Sequence, residues 1–291
     1  MSASVTTEQR SHRGDEGAAV GRPLRTSTGA ASHAPVLPRI PGPRPTAAVP
    51  FRRLAVVELR KQLDTRAGRW LLITIGLVIA AIVTIMLFVG GGAHGYGGYL
   101  SATSTPLMAL VPIVGILAAT AEWSQRTGLT TFALEPRRHR VVLAKVVAAL
   151  VAAAASLGAA LGLAALANLV AVQGRGADST WSLSGTLLTG VAVVLVLSLA
   201  QGVGFGLALL NTPAAIVAYL VLPTVWTIVT AMVERMRTVG EWLDLGSAST
   251  PLLEGAAMQT RDWAQVGTAS LLWVALPLAI GLWRVRRSEV K

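Results

Sequence analysis

Residues 70–89 read WLLITIGLVIAAIVTIMLFV and contain no charged side chain. As an α-helix, rising about 1.5 Å per residue, this run is roughly 30 Å long, the thickness of a bilayer's hydrocarbon core. Lipid offers nothing to a backbone N–H or C=O, so a segment of this kind must satisfy its own hydrogen bonds, and a helix does that. The composition points the same way. The 291-residue chain is 53% hydrophobic and only 13% charged, with a mean hydropathy of +0.60. A soluble domain carries about 25% charged residues.

Five further apolar runs follow, at about 104–121, 141–172, 186–210, 214–233 and 264–283. The second holds Pro106 and Pro112, which membrane helices tolerate when neighbours satisfy the freed backbone groups. The third starts near Lys145, expected to snorkel to the interface. The fourth and fifth meet at Asn211-Thr212-Pro213, a tight uncharged turn. The predicted fold is therefore all-α and integral to the membrane, with six transmembrane helices within residues 51–291. Residues 51–69, FRRLAVVELRKQLDTRAGR, place Phe51, Leu54, Val57, Leu59 and Leu63 on one broad side and charges on the other, the pattern of a helix lying in the interface. Residues 1–50 have no apolar run and are rich in Arg, Pro, Ser, Thr, Ala and Gly; they read as a disordered cytoplasmic tail without the apolar stretch of a signal peptide. Residues 234–263 form a polar, extracytoplasmic segment whose structure is not legible from the sequence.

The net charge is +11, and its placement gives orientation. Arg52, Arg53, Arg60, Lys61, Arg66 and Arg69 precede the first run. Arg126, Arg137, Arg138, Arg140 and Lys145 lie between the second and third, and Arg284, Arg286, Arg287 and Lys291 follow the sixth. With six spans all three clusters share a side, and the positive-inside rule makes that side, with both termini, cytoplasmic at the plasma membrane. These cations flank spans and accompany no DNA-binding motif, so they read as topology signals touching anionic lipid, not nucleic acid. Arginine far outnumbers lysine, as in a high-GC bacterial genome.

Much chemistry is excluded. There is no cysteine, hence no disulfide, thiolate metal site or cysteine nucleophile. His12, His33, His94 and His139 are scattered without metal-ligand spacing. No G-x-x-x-x-G-K-[ST] loop is present, so the chain is not expected to hydrolyse ATP. No catalytic, metal or cofactor-binding residue is assigned. An intramembrane enzyme needs convergent polar groups at depth, and the spans lack them. Asn168, Gln201 and Asn211 are candidate pathway-lining residues, with Ser198 nearby, although such groups more commonly bond between helices. Gly202, Gly204 and Gly206, with Gly158 and Gly162, offer small surfaces for close helix packing.

The loop between the second and third runs, AEWSQRTGLTTFALEPRRHRVVLAK over 121–145, is long and has its own pattern: a short amphipathic stretch at 124–134, then Pro136 and a basic entry. Loops of this length commonly dock a partner. With VELRKQLDTR at 57–66 and the ending WVALPLAIGLWRVRRSEVK, this loop resembles the membrane subunit of type-two ABC exporters, of the antibiotic or multidrug export kind. The resemblance covers about residues 52–291. It implies a permease that binds no cofactor of its own and works with a separate ABC ATPase subunit, which holds the ATP, and with a second permease copy or homologue. It further implies that 122–145 is the ATPase-coupling loop, with Glu122, Arg126, Thr127, Pro136, Arg138 and Lys145 on matching positions, and that short helices lie between the last two spans. Glu122 is expected to pair with Arg60 or Lys61 of the interfacial helix. An accessory subunit of a membrane complex, without a transport path of its own, is the alternative. The substrate is not legible.

Overall fold

The computed structural model describes residues 49–89, 94–125, 137–174 and 180–287, all helical or in turns, with no strand among them. The tail at 1–48 and the loop positions Arg126, Thr127 and Pro136 lie outside the described residues, as does the side chain of Arg138. Helix α1 (Phe51–Asp64) precedes six long apolar segments: α2 (Arg66–Val89), α3 (Gly95–Ser124), α4 (Arg138–Leu169), α5 (Gly185–Leu209), α6 (Thr212–Met232), and a final segment of α9 (Thr260–Ser270) and α10 (Leu276–Arg287) joined through a widened turn at Leu271–Ala275. Each of the six is long and apolar enough to cross a membrane. The protein is thus a six-span, all-α membrane protein. Between α6 and α9 run a 3₁₀ turn (Glu234–Met236) and two short helices, α7 (Arg237–Leu243) and α8 (Leu245–Leu253).

Helices α5 and α3 form the centre, burying 67% and 56% of their most apolar stretches, against 22% for α2 and 17% for α6. Outer helices present large apolar side chains outward, such as Trp70, Leu77 and Phe88 on α2 and Leu222 and Ile228 on α6. That exposure suits lipid and would be costly in water. The centre is tight because α5 supplies glycines where α3 crosses. A Cβ on Gly202 would overlap the Pro112 carbonyl oxygen, and one on Gly206 would lie 2.8 Å from the Ala119 Cβ. Gly158 and Gly162 on α4, by contrast, have nothing within 4 Å of an added Cβ, so they make no close helix contact among the described residues.

Pro112 cannot donate a helical hydrogen bond to the residue four before it, Met108. Tyr219 of α6 supplies the missing donor: its hydroxyl bonds the Met108 carbonyl at 2.7 Å. One proline thus fixes where α6 must cross α3.

Helix α3 begins nine residues before the apolar run at 104–121 (104 less 95). Its first turns, GYGGYL, are glycine-rich and polar enough to mask the helix, yet Tyr99 and Leu100 are fully buried. Helix α5 ends on Leu210, whose φ of 53° is left-handed. The next residue, Asn211, caps α6 by accepting from the Ala214 N–H at 3.0 Å.

Candidate functional site

At the end of the bundle where α1 lies, four charged side chains meet. Helix α1 brings Glu58 and Lys61, the last turn of α3 brings Glu122, and the second turn of α4 brings Lys145. The Lys145 Nζ lies 2.9 Å from Glu58 Oε2 and 2.7 Å from Glu122 Oε1. The Lys61 Nζ lies 2.6 Å from Glu58 Oε1 and 3.7 Å from Glu122 Oε1. Carboxylates and ammonium groups therefore alternate in a closed, electrically neutral ring. Glu58, Glu122 and Lys145 are buried; Lys61 is 40% exposed at its side chain.

The local sequence explains the arrangement. The chain turns sharply at Thr65, which is extended (φ −71°, ψ 139°). Its hydroxyl accepts from the Gly68 N–H at 3.2 Å, serving the exposed donors that open α2. A Cβ on Gly68 would overlap the Gln62 carbonyl oxygen, so this corner needs a glycine. The break swings α1 off the axis of α2 and lays it against α4. Arg140 holds it there, its guanidinium donating to the Val49 carbonyl at 2.8 Å.

The inward side of α1 differs from the expectation of an apolar one. Glu58 and Gln62 are its buried residues, while Val56, Val57 and Leu63 are exposed. The apolar side of the helix faces away from the protein, toward the position lipid would take. Lys145 also departs from expectation. It does not snorkel to the interface but is 4% exposed between two carboxylates. Two carboxylates within 3 Å offset its desolvation, so the ammonium stays buried between them instead of reaching for water. Of the two partners expected for Glu122, Lys61 is near it; Arg60 is exposed and Lys145 is closer.

Burial pushes the Glu58 carboxyl toward a higher pKa, but the pull of Lys145 and Lys61 together outweighs it. The carboxyl is held below its ordinary value of 4.5 and stays ionised. Glu122 is less well served. Its Oε1 has the Lys145 ammonium at 2.7 Å, but its Oε2 has no hydrogen-bond donor among the described residues.

Beside the ring is a cavity of about 460 Å³, bounded by α1, the start of α2, the last three turns of α3 and Thr212 at the start of α6. Thr120 and Thr212 share a hydrogen bond of 2.7 Å that ties α3 to α6 near its edge.

The three candidate pathway residues are not gathered in one place. Gln201 is buried and borders a second cavity, of about 430 Å³, with Ser198, Tyr219 and Ser249. Asn168 is fully buried in α4 and borders neither cavity. Asn211 is the α6 cap. At the opposite end of the bundle, Asp244 caps α8 through the N–H groups of Gly246 and Ser247, and Trp273 Nε1 donates to the Leu243 carbonyl at 2.7 Å, seating the short helices on the last span.

Glu58 and Gln62 are the site residues that sequence reasoning missed. A signal was present in their spacing, one helical turn apart and out of phase with the cations at Arg53 and Arg60. The class defined by this fold is a polytopic helical membrane protein with a buried ionic ring at one end. No family model matches the chain, and no curated protein or solved structure does either.

Proposed function

We propose that the chain is the permease subunit of an ATP-driven ABC exporter in the bacterial plasma membrane, with its termini in the cytoplasm. The observation that carries this reading is the ionic ring. It locks the interfacial helix to the end of α3 and the start of α4, the two helices that flank the loop at 122–145. A partner pressing on that loop moves α1, α3 and α4 together, not one helix alone. Such a rigid link is what a two-state rearrangement driven from outside the bilayer requires.

In this reading a separate ABC ATPase binds and hydrolyses the ATP and seats the loop, and a second copy or homologue of the permease completes the pathway. The basic residues at the same end, including Arg137, Arg284 and Arg286, face anionic head groups. In this reading the passage runs past Gln201, Ser198 and Tyr219, which border the cavity between α3, α5, α6 and α8.

Co-expression with an ATPase encoded beside the chain's own gene tests the reading. The ATPase is expected to co-purify with the full chain and to be lost when residues 124–139 are deleted or when Arg126→Glu is introduced. An ATPase retained by both variants, each still monodisperse, overturns it.

A further inference from the structure

The cavity beside the ionic ring has two chemically distinct ends. One end holds Glu122, Gln62 and Lys61; the other is walled by Leu72, Val114 and Ala118. Glu122 and Val114 are eight residues apart on α3 (122 less 114), or about 12 Å along the helix. Its volume of about 460 Å³ falls in the usual range for small-molecule sites, ~300–1,000 Å³. It sits at the span ends, the depth of lipid head groups. There Trp70 is exposed, and Arg287 stacks over Trp283 at 4.7 Å, as interfacial aromatic residues do.

The polar end is unsatisfied in a particular sense. Gln62 is 8% exposed, and neither its amide oxygen nor its amide nitrogen has a hydrogen-bond partner among the described residues. Glu122 is 2% exposed; its Oε1 faces the Lys145 ammonium at 2.7 Å, while its Oε2 has no hydrogen-bond donor among the described residues. Two acceptors, Glu122 Oε2 and Gln62 Oε1, are thus unmet beside the Gln62 NH2 group. Buried polar groups left unmet are costly, so the cavity favours an occupant that brings N–H or O–H donors with an acceptor beside them. The ring is neutral, so it does not attract a simple anion.

We propose that this cavity binds an amphiphile whose head is a primary ammonium with an adjacent acceptor, and whose apolar part runs between α2 and α3 along Leu72, Val114 and Ala118. A phosphoethanolamine head has this chemistry. A phosphocholine head has the same charge and nearly the same size but no N–H, so it leaves the Glu122 and Gln62 oxygens unmet. The site does not depend on the ATPase reading; only the origin of its occupant does.

The test uses the full-length protein in detergent, titrated with short-chain diacyl phosphoethanolamine and, separately, with its phosphocholine counterpart, with bound lipid read by native mass spectrometry. The phosphoethanolamine lipid is expected to bind at least about tenfold more tightly, a difference equivalent to one good hydrogen bond to a charged group. Gln62→Leu removes unmet polar atoms without touching the ionic ring, so it should fold as well as the parent and narrow the difference between the two lipids. Equal binding of the two lipids by the parent, or undiminished discrimination by Gln62→Leu, overturns the proposal. A second arm separates the sources. A fluorescent phosphoethanolamine lipid in phosphocholine vesicles, with the ATPase co-reconstituted, crosses leaflets only with ATP if the occupant is cargo. It stays bound without crossing if the occupant is a resident lipid of the bilayer. Both outcomes uphold the site, and loss of the ATPase partner leaves the binding arm intact.

Discussion

Lys145→Met is the most informative single change. The ammonium lies 2.9 Å from Glu58 and 2.7 Å from Glu122, and its own side chain is 5% exposed. At an effective dielectric of ~20 a pair at that distance has about 6 kcal/mol of gross attraction, most of which offsets desolvation. The net cost of the variant is set by what is left behind. Glu58 keeps Lys61 at 2.6 Å, but Glu122 retains only that same ammonium at 3.7 Å, on a side chain 40% exposed and therefore partly screened. One carboxylate is left buried and poorly paired, and losses of about 3–5 kcal/mol follow from that situation. Adding Glu122→Leu removes the stranded charge and leaves the Glu58–Lys61 pair intact. The double variant should therefore recover at least about 2 kcal/mol relative to the sum of the two single losses, the sign of direct coupling. Unfolding in mixed detergent micelles with increasing SDS measures all four corners of the cycle. Strict additivity would show that the two side chains do not share an interaction, and the rigid link between α3 and α4 would have to be abandoned.

Two more outcomes are expected. The Glu58 carboxyl is held below 4.5 in the folded protein, so its stabilising contribution is complete above that pH and is lost as pH falls through the lowered folded value. Stability measured from roughly pH 7 down to pH 3 should decline at the acid end, and Glu58→Gln should flatten that part of the profile while lowering stability above it. Tyr219→Phe should cost about 1–3 kcal/mol by stranding the Met108 carbonyl. Adding Pro112→Ala should restore part of the loss, because residue 112 then donates the helical bond itself; no rescue would mean that the tyrosine acts only through packing.

The spans were legible because hydropathy is a local property. The apolar run at 186–210 and helix α5 differ by one residue at each end, and α6 starts two residues before the run at 214–233. The start of α3 was not legible, since GYGGYL is helical only because Tyr99 and Leu100 are buried by other helices. The ionic ring was half legible. Glu122 stood out because a carboxylate at a span end needs a partner, and Lys61 lies near in sequence to the interface it must reach. Lys145 and Glu58 are 87 residues apart and each has a plausible solvated reading by itself. Only the fold, by laying α1 across α4, turns two apparently exposed charges into a buried pair. The Pro112–Tyr219 contact was hidden for the same reason: a proline announces a missing donor but not who replaces it.

The ring also imposes an order on how the chain is made. Glu58 and Lys61 are synthesised first, then Glu122, and Lys145 last, after the loop that follows α3. Until α4 arrives, Lys61 is the one ring ammonium available to both Glu58 and Glu122. With α1, the hairpin of α2 and α3 therefore holds two ring carboxylates against one ring ammonium, and α4 brings the second ammonium. The first three spans mature as a unit on this account, and the ring closes only when residue 145 has joined them.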